Sequence, residues 1–346
     1  MTAFFESILN GIFSVVHNYG WTIVLFTVLV RVLLLPLDYR SRKGMRKMTA
    51  ISAQTAVLQK KYANDRDKLN RKMSELYKKE GVSPLSGCVP MLLQWPILFI
   101  MFAAMRAMTN EQMVKQVFAY ILNPNVLPQM DSWLWIKNIW VADSVFASIA
   151  PDLNSLRVVD YNIWKDMFNL LSETDQAALI SAVQAVGGTI DFTTKELGQA
   201  SAGYLIQVLQ GTAAYQNALT PISTTWQNVN VLFFNFTIYQ QYNGLLILPA
   251  LAAITQLLMN KLNPAQAGQT EPQQQNAQGQ STAKFMQVFF PLLSVYFCLI
   301  SNAGFAIYWV TSNVVMGATT IIINKILDKR DNAPKKSDVS AEGSVR

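Results

Sequence analysis

The sequence predicts an all-α polytopic membrane protein: a five-helix transmembrane core with a cytoplasmic helical hairpin and a mainly helical extracytoplasmic insert. Three observations carry that prediction. Of the 346 residues, 51% are hydrophobic and 14% charged, against about a quarter charged in ordinary soluble domains, and the mean hydropathy is +0.21. The apolar residues gather into blocks long enough to cross about 30 Å of hydrocarbon at about 1.5 Å per helical residue. The basic residues lie mostly in alternate connections between those blocks, as in a chain threaded back and forth through a bilayer.

Residues 1–17 carry Phe4, Phe5, Ile8, Leu9, Ile12, Phe13 and Val16 at helical spacing and read as an interfacial N-terminal helix. The first 30 residues hold no Lys or Arg and no small-residue cleavage site, which argues against a conventional signal peptide. The first span, 18–38, follows. Residues 39–86 form the cytoplasmic hairpin: Met45, Met48, Ile51, Thr55, Leu58 and Tyr62 recur every three or four residues, and Leu69, Met73 and Leu76 resume the pattern after a break at Ala63-Asn64-Asp65. Asp65 is the expected N-cap of the second arm and Gly81 with Pro84 its stop.

The second span is 87–106. The extracytoplasmic segment, 107–242 with its insert 143–242, is too long for a loop. Amphipathic stretches at 113–122 and 177–186, the latter behind a Ser172-x-x-Asp175 capping signal, predict a small folded cap, and Trp133, Trp135 and Trp140 are expected at the headgroup boundary. The third span is 243–262. The connection 263–283 is rich in Gln and almost without apolar residues, so a flexible cytoplasmic loop is expected. Spans 284–301 and 304–324 precede a basic cytoplasmic tail, 325–346. Thirteen Lys and Arg lie in 38–86 and six in 106–242, where ten acidic residues outweigh them, which places the N-terminus outside and the C-terminus in the cytoplasm of a multi-pass cell-membrane protein. The net charge of +7 therefore belongs to the cytoplasmic face, where it suits anionic lipids or ribosomal RNA and gives no reason to expect DNA.

Arg31 sits inside the first apolar block. Twelve Leu, Ile, Val or Phe in 21–37, at about −0.3 to −0.6 kcal/mol each, can offset its cost of about 2.5–3.5 kcal/mol. It either snorkels to the inner headgroups or faces a wet cavity within the bundle. Gln94, Gln256, Asn260, Ser294, Thr311, Ser312 and Asn313, on the other spans, are its polar companions in the second reading, and no Asp or Glu lies within any of the apolar blocks, the first of which runs from Trp21 to Leu37. Lys60, Lys61 and Arg66, at the hairpin tip, are candidate cytoplasmic contacts. His17 is the only histidine, Cys88 and Cys298 lie in apolar blocks, and no phosphate-cradling glycine motif is present, so neither a metal nor a cofactor nor an enzyme mechanism is expected.

Asn18-Tyr19-Gly20-Trp21 before the Arg31 span, and the run Ser83-Pro84-Leu85-Ser86-Gly87-Cys88-Val89-Pro90-Met91-Leu92-Leu93-Gln94-Trp95-Pro96-Ile97, resemble the YidC/Oxa/Alb family of membrane protein insertases. Leu134-Trp135-Ile136-Lys137-Asn138, Leu248-Pro249-Ala250-Leu251 and Ala306-Ile307-Tyr308-Trp309-Val310-Thr311-Ser312-Asn313 add to the resemblance, which covers 1–142 and 243–327. It implies that the arginine at position 31 lies in a hydrophilic groove open to the cytoplasm and to lipid but closed outside, and that the basic hairpin meets substrates arriving from the ribosome. It also implies activity alone or beside the Sec translocon, on nascent membrane proteins with short outer tails, without an energy source. The absence of a long N-terminal domain is similar to the form found in single-membrane bacteria. The chain departs from the family at 143–242, where relatives have a short link, and at the turn Asn302-Ala303-Gly304. The rival expectation is a small-anion transporter or channel with Arg31 as counter-charge, but no internal repeat supports it. A third is a structural scaffold for the translocon, in which Arg31 would be dispensable.

Overall fold

The computed structural model describes residues 2–81, 89–227, 229–231, 234–262 and 277–332. Within them the chain forms α1 (Thr2–Val16), α2 (Tyr19–Ala50), α3 (Ser52–Lys61), α4 (Arg66–Glu80), α5 (Val89–Leu122), α6 (Leu153–Arg157), α7 (Tyr161–Asn169), α8 (Glu173–Ala185), α9 (Lys195–Gly211) and α10 (Ala213–Ala218). A ribbon, β1 (Val229–Val231) and β2 (Phe234–Phe236), follows, then α11 (Ile247–Leu262), α12 (Ala277–Ile300) and α13 (Ala303–Asp331). The five predicted spans fall on α2, α5, α11, α12 and α13, and α2 and α13 are each long and apolar enough to cross a bilayer. This is the fold of a helical membrane protein.

Several helices overrun the apolar blocks that announce them. α2 continues past residue 38 to Ala50 with Pro36 inside it, α5 past 106 to Leu122, and α13 past 324 to Asp331. Hydrophobicity marks where lipid is expected to cover a helix, whereas the helix itself ends only where capping or packing ends it. α11 starts later than the third predicted span, at Ile247, because 243–246 are held in a different conformation described below. Of the predicted loop 263–283, residues 263–276 lie outside the described residues and 277–283 belong to α12. The tail beyond 332 lies outside them as well.

The chain divides into two compact units, the first comprising Met1–Leu29, Pro96–Thr255 and Pro291–Thr311, the second Val30–Trp95, Gln256–Phe290 and Ser312–Arg346. In the first unit α9 packs against α6, α7, α8 and α10. Leu205, Leu209, Trp164, Phe168, Leu179 and Tyr215 form one core with Val114, Val117, Phe118, Tyr120 and Ile121 of α5. The stretch 113–122, expected as part of the cap, is thus the C-terminal third of α5 and contributes to the cap's core. Gly198 lets α9 approach α7, since a Cβ there would lie 2.5 Å from the Tyr161 ring. Asp152, Asp160, Ser172 and Thr194 cap α6, α7, α8 and α9, each accepting a backbone N–H of the first turn. Burial raises the Tyr215 hydroxyl above its ordinary pKa, so it stays a donor, to the Pro151 carbonyl at 3.0 Å. The cap also contains strand structure: β1 and β2 pair antiparallel, Val229 opposite Phe236 and Val231 opposite Phe234.

In the second unit, α3 and α4 close the hairpin. Ile51, Met73 and Tyr77 are buried, with Met48, Leu58, Leu69 and Leu76 packed on them. Asp65 accepts the Lys68 N–H at 3.0 Å, and Gly81 ends α4 in the left-handed conformation at φ 60°. The first arm is the end of α2 followed by α3, with a break at Ile51.

Candidate functional site

Arg31 faces the side of α2 opposite an exposed apolar stripe. Leu25, Leu29 and Leu33 recur at four-residue steps and stay exposed, as a lipid-facing surface would, while Arg31 is 7% exposed. Its Nε donates to Ser312 Oγ at 3.0 Å, its Nη2 donates to the same oxygen, and Nη1 lies 3.9 Å from Met316 Sδ. These partners are neutral, and one of them, a thioether, is a weak acceptor.

The same helix pair repeats the arrangement further along. Arg42 Nη2 donates to Thr320 Oγ1. Arg46 donates to the Asn324 carbonyl at 2.9 Å and pairs with Asp328 at 2.7 Å and Asp331 at 3.4 Å. Ser312, Met316, Thr320, Asn324 and Asp328 stand four residues apart and so share one face of α13. Both helices advance in the same direction along the contact, so α2 and α13 run parallel, joined by a polar seam with a guanidinium at each level. Asp38, one residue beyond the predicted apolar block, interacts electrostatically with Arg31 and Arg42.

α11 lies along the next face of α13. Asn313 Nδ2 meets Gln256 Oε1 at 3.5 Å. One turn on, a Cβ built at Gly317 would sit 3.4 Å from Met259 Sδ, an ordinary contact that sets how close the two helices come. Asn260 is partly buried, one turn beyond Gln256. The structure therefore brings Arg31 to Ser312 and Asn313 to Gln256, a polar band running from α2 across α13 to α11. Ser294 and Thr311 belong to the first unit, with Ser294 buried and Thr311 partly buried. Gln94 lies on α5, where only the backbone is described. Lys60, Lys61 and Arg66 are exposed at the hairpin tip, and the Lys61 and Lys68 ammonium groups each stand 5.7 Å from the Tyr62 ring centre. Among the described residues no group of His, Cys, Asp or Glu could hold a metal ion.

Sequence reasoning missed Arg42, Arg46, Thr320 and Asn324 as parts of the seam. The four-residue spacing on α13 was the available signal, hidden because the span's apolar character draws attention to its other faces. It also misjudged Trp140, which is buried and donates from Nε1 to Asp131, where an interfacial ring would keep its polar edge in headgroups.

Fold and site together define a helical membrane protein in which a buried arginine lies on a polar seam between two parallel membrane-length helices. Residues 11–330 match the model of the 60Kd inner membrane protein family. The chain belongs to that family. It is similar to the membrane protein insertase YidC of Clostridium perfringens, 38% identical over 144 residues that make up 42% of this chain and 52% of that protein. The membrane protein insertase YidC of Fusobacterium nucleatum subsp. nucleatum is 33% identical over 151 residues, 44% of this chain and 64% of that protein. That of Anaeromyxobacter dehalogenans is 35% identical over 133 residues, 38% and 21% respectively. The chain thus spans about half of the first relative and about a fifth of the last.

Proposed function

We propose that this protein is a membrane protein insertase, which moves the hydrophobic spans of nascent membrane proteins into the bilayer from a hydrophilic groove open to the cytoplasm. The observation that carries the reading, beside the family, is the Arg31–Ser312 contact. A guanidinium buried in a membrane-length helix and bonded to a hydroxyl can exchange that partner for a carboxylate, because a hydrogen bond between charged groups is about twice as strong as a neutral one. A carboxylate at about 4 Å, with effective dielectric near 20, gains about 4 kcal/mol before desolvation, enough to hold a polar tail briefly. Gln256, Asn260, Ser312 and Asn313 are the polar companions that shorten the dry distance the tail must cross. The client's apolar segment then moves along α11 and α13 into lipid, driven by burial of its own surface, with no nucleotide.

In this reading the N-terminus lies outside, the hairpin and C-terminus lie in the cytoplasm, and ribosomes, the Sec translocon and anionic lipids are the other partners. The reading is tested by photo-crosslinking from Gln256 and Ser312 positions to a stalled nascent membrane protein. Adducts that need the client's hydrophobic segment are expected, and their absence at both positions sinks the proposal.

The hairpin serves as the docking element, its core at Ile51, Met73 and Tyr77 holding its two arms together and its tip at Lys60, Lys61 and Arg66 exposed. Deleting 50–79 is expected to lower insertion at least about tenfold, more than removing the tail after Lys329, whose basic groups act as surface charges worth about 1 kcal/mol each at an anionic membrane. Insertion into vesicles at matched protein abundance measures both, and the opposite order moves the docking surface to the tail.

A further inference from the structure

The segment 131–143 lies where the ends of α2, α5, α11, α12 and α13 meet. At the start of α2, Asn18 Nδ2 donates to the Ser132 carbonyl at 3.0 Å, and Gly20 leaves room for Trp133, whose side chain would collide with any Cβ there. Tyr19 packs edge-on to Trp140 with ring centres 5.1 Å apart. From α5, Gln116 exchanges hydrogen bonds with the Asn138 side chain at 3.0 and 3.3 Å. At the turn between α12 and α13, the Ala303 and Gly304 N–H groups donate to the Val141 and Ile139 carbonyls, both at 2.9 Å. Gly304 is again the residue that permits this, with Ile23 and the Ile139 carbonyl around the place its Cβ would take.

The fifth helix is tied most tightly. Asp143, 0% exposed, accepts the Leu245 N–H at 2.8 Å, the Leu248 N–H at 2.7 Å and Trp135 Nε1 at 3.3 Å. It caps α11 from about a hundred residues away in sequence. Between the two bonded amides stands Leu246 at φ 62°, a left-handed conformation that a leucine adopts only when its neighbours are held. Asn243, also buried, donates from Nδ2 to the carbonyls of Asn138, Val141 and Ala142 at 2.8–3.1 Å and accepts the Asn138 N–H at 2.7 Å. Asn138, Asp143 and Asn243 all find hydrogen-bond partners within this joint, its apolar members Ile136, Ile139 and Ala303 are buried, and Trp133 Nε1 is the one side-chain nitrogen of the segment buried without a partner. The insert leaves and returns here: Ser148 pairs with Tyr242, Ile149 N–H donates to Gln241 at 3.0 Å, and Gly244 N–H to Ser144 at 3.2 Å.

We infer that segment 131–143 is a keystone that seals the outer ends of the five helices against water and ions, and that Asp143 is its positioning residue, holding Leu246 in its strained conformation so that α11 closes on the seal. The word "outer" rests on the orientation proposed above; the joint itself does not. A carboxylate serves here because it offers both oxygens as acceptors, whereas an amide in the same place would turn an N–H toward a donor.

The test uses the full chain in lipid vesicles, with Cys88 and Cys298 replaced by alanine and Ala303→Cys as the reporter. A membrane-impermeant maleimide added from either side measures whether water reaches the joint. The parent is expected to resist labelling from both. Asp143→Asn is expected to raise labelling from one side by about tenfold or more, the factor for one lost hydrogen bond to a charged group, and Leu246→Gly added to it should restore much of the protection, since glycine adopts positive φ without support. Asn243→Ala, which opens the joint and leaves the α11 cap, decides the matter should Asp143→Asn fail to accumulate. Parental labelling in both variants, or no rescue by Leu246→Gly, overturns the inference. The assay contains no client, so failure of the insertase reading leaves it standing, and labelling from the cytoplasmic side would overturn the orientation alone.

Discussion

Arg31→Ala will reduce insertion of clients whose outer tails carry Asp or Glu by about 10- to 100-fold, the range expected for one hydrogen-bonded charge contact, and will affect clients with uncharged tails far less. The protein itself will stay folded. The change leaves the Ser312 hydroxyl short of a donor, a cost of about 1–3 kcal/mol, while Arg42–Thr320 and Arg46–Asp328 still hold α2 to α13. Arg31→Lys will keep much of the activity, because the proposed contact needs a cation more than a fork. Ser312→Ala separates the two roles of the site: it removes the hydroxyl and keeps the charge, so insertion should persist. The measurement is insertion of paired clients, with and without tail carboxylates, into vesicles carrying each variant at equal abundance. Full activity of Arg31→Ala with the acidic client removes charge capture from the mechanism.

The second large effect concerns the insert. Replacing 146–238 with a short Gly-Ser linker strips the cover from Val114, Val117, Phe118, Tyr120 and Ile121, all buried in the shared core. Each buried side chain of this kind holds about 1.5–3 kcal/mol, so the simple deletion should accumulate poorly. The same deletion with Val114, Val117, Phe118 and Ile121 changed to Ser or Gln should accumulate and still insert a short-tailed client, if the cap is accessory to the core activity as we propose. Membrane abundance and insertion are read together. Normal abundance of the simple deletion would contradict the packing of α5 into the cap, and loss of insertion by the resurfaced protein would make the cap part of the core mechanism.

How far the sequence could be read depended on distance along the chain. The hairpin was legible because its contacts lie within one periodic stretch: Met48, Ile51, Leu58, Leu69, Met73 and Leu76 follow the helical repeat, and Asp65 and Ser172 cap within three residues of themselves. Tyr77 was passed over there, being one step beyond the last apolar residue the repeat suggested. Arg31 stood out by cost alone, but that its partner is Ser312 could not be read, since 281 residues separate them. Asp143 and Asn243 were illegible for the same reason, and both look like loop residues until the chain returns to them. The overrun of α5 escaped because Arg106 and Asn110-Glu111-Gln112 end the apolar run, while the burial resuming at Met113 serves a different core.

The three arginines of α2 meet different chemistry along α13. Arg31 and Arg42 give hydrogen bonds to hydroxyls, with Asp38 acting on both electrostatically, and Arg46, which remains partly exposed, pairs with the carboxylates of Asp328 and Asp331. Mobile ions act mainly on solvent-exposed charges, over about 8 Å at physiological ionic strength. The seam is consequently a fastening with one salt-sensitive end: electrolyte weakens the Arg46 pairs, worth at most about 1 kcal/mol each, and leaves the buried hydrogen bonds of Arg31 and Arg42 untouched.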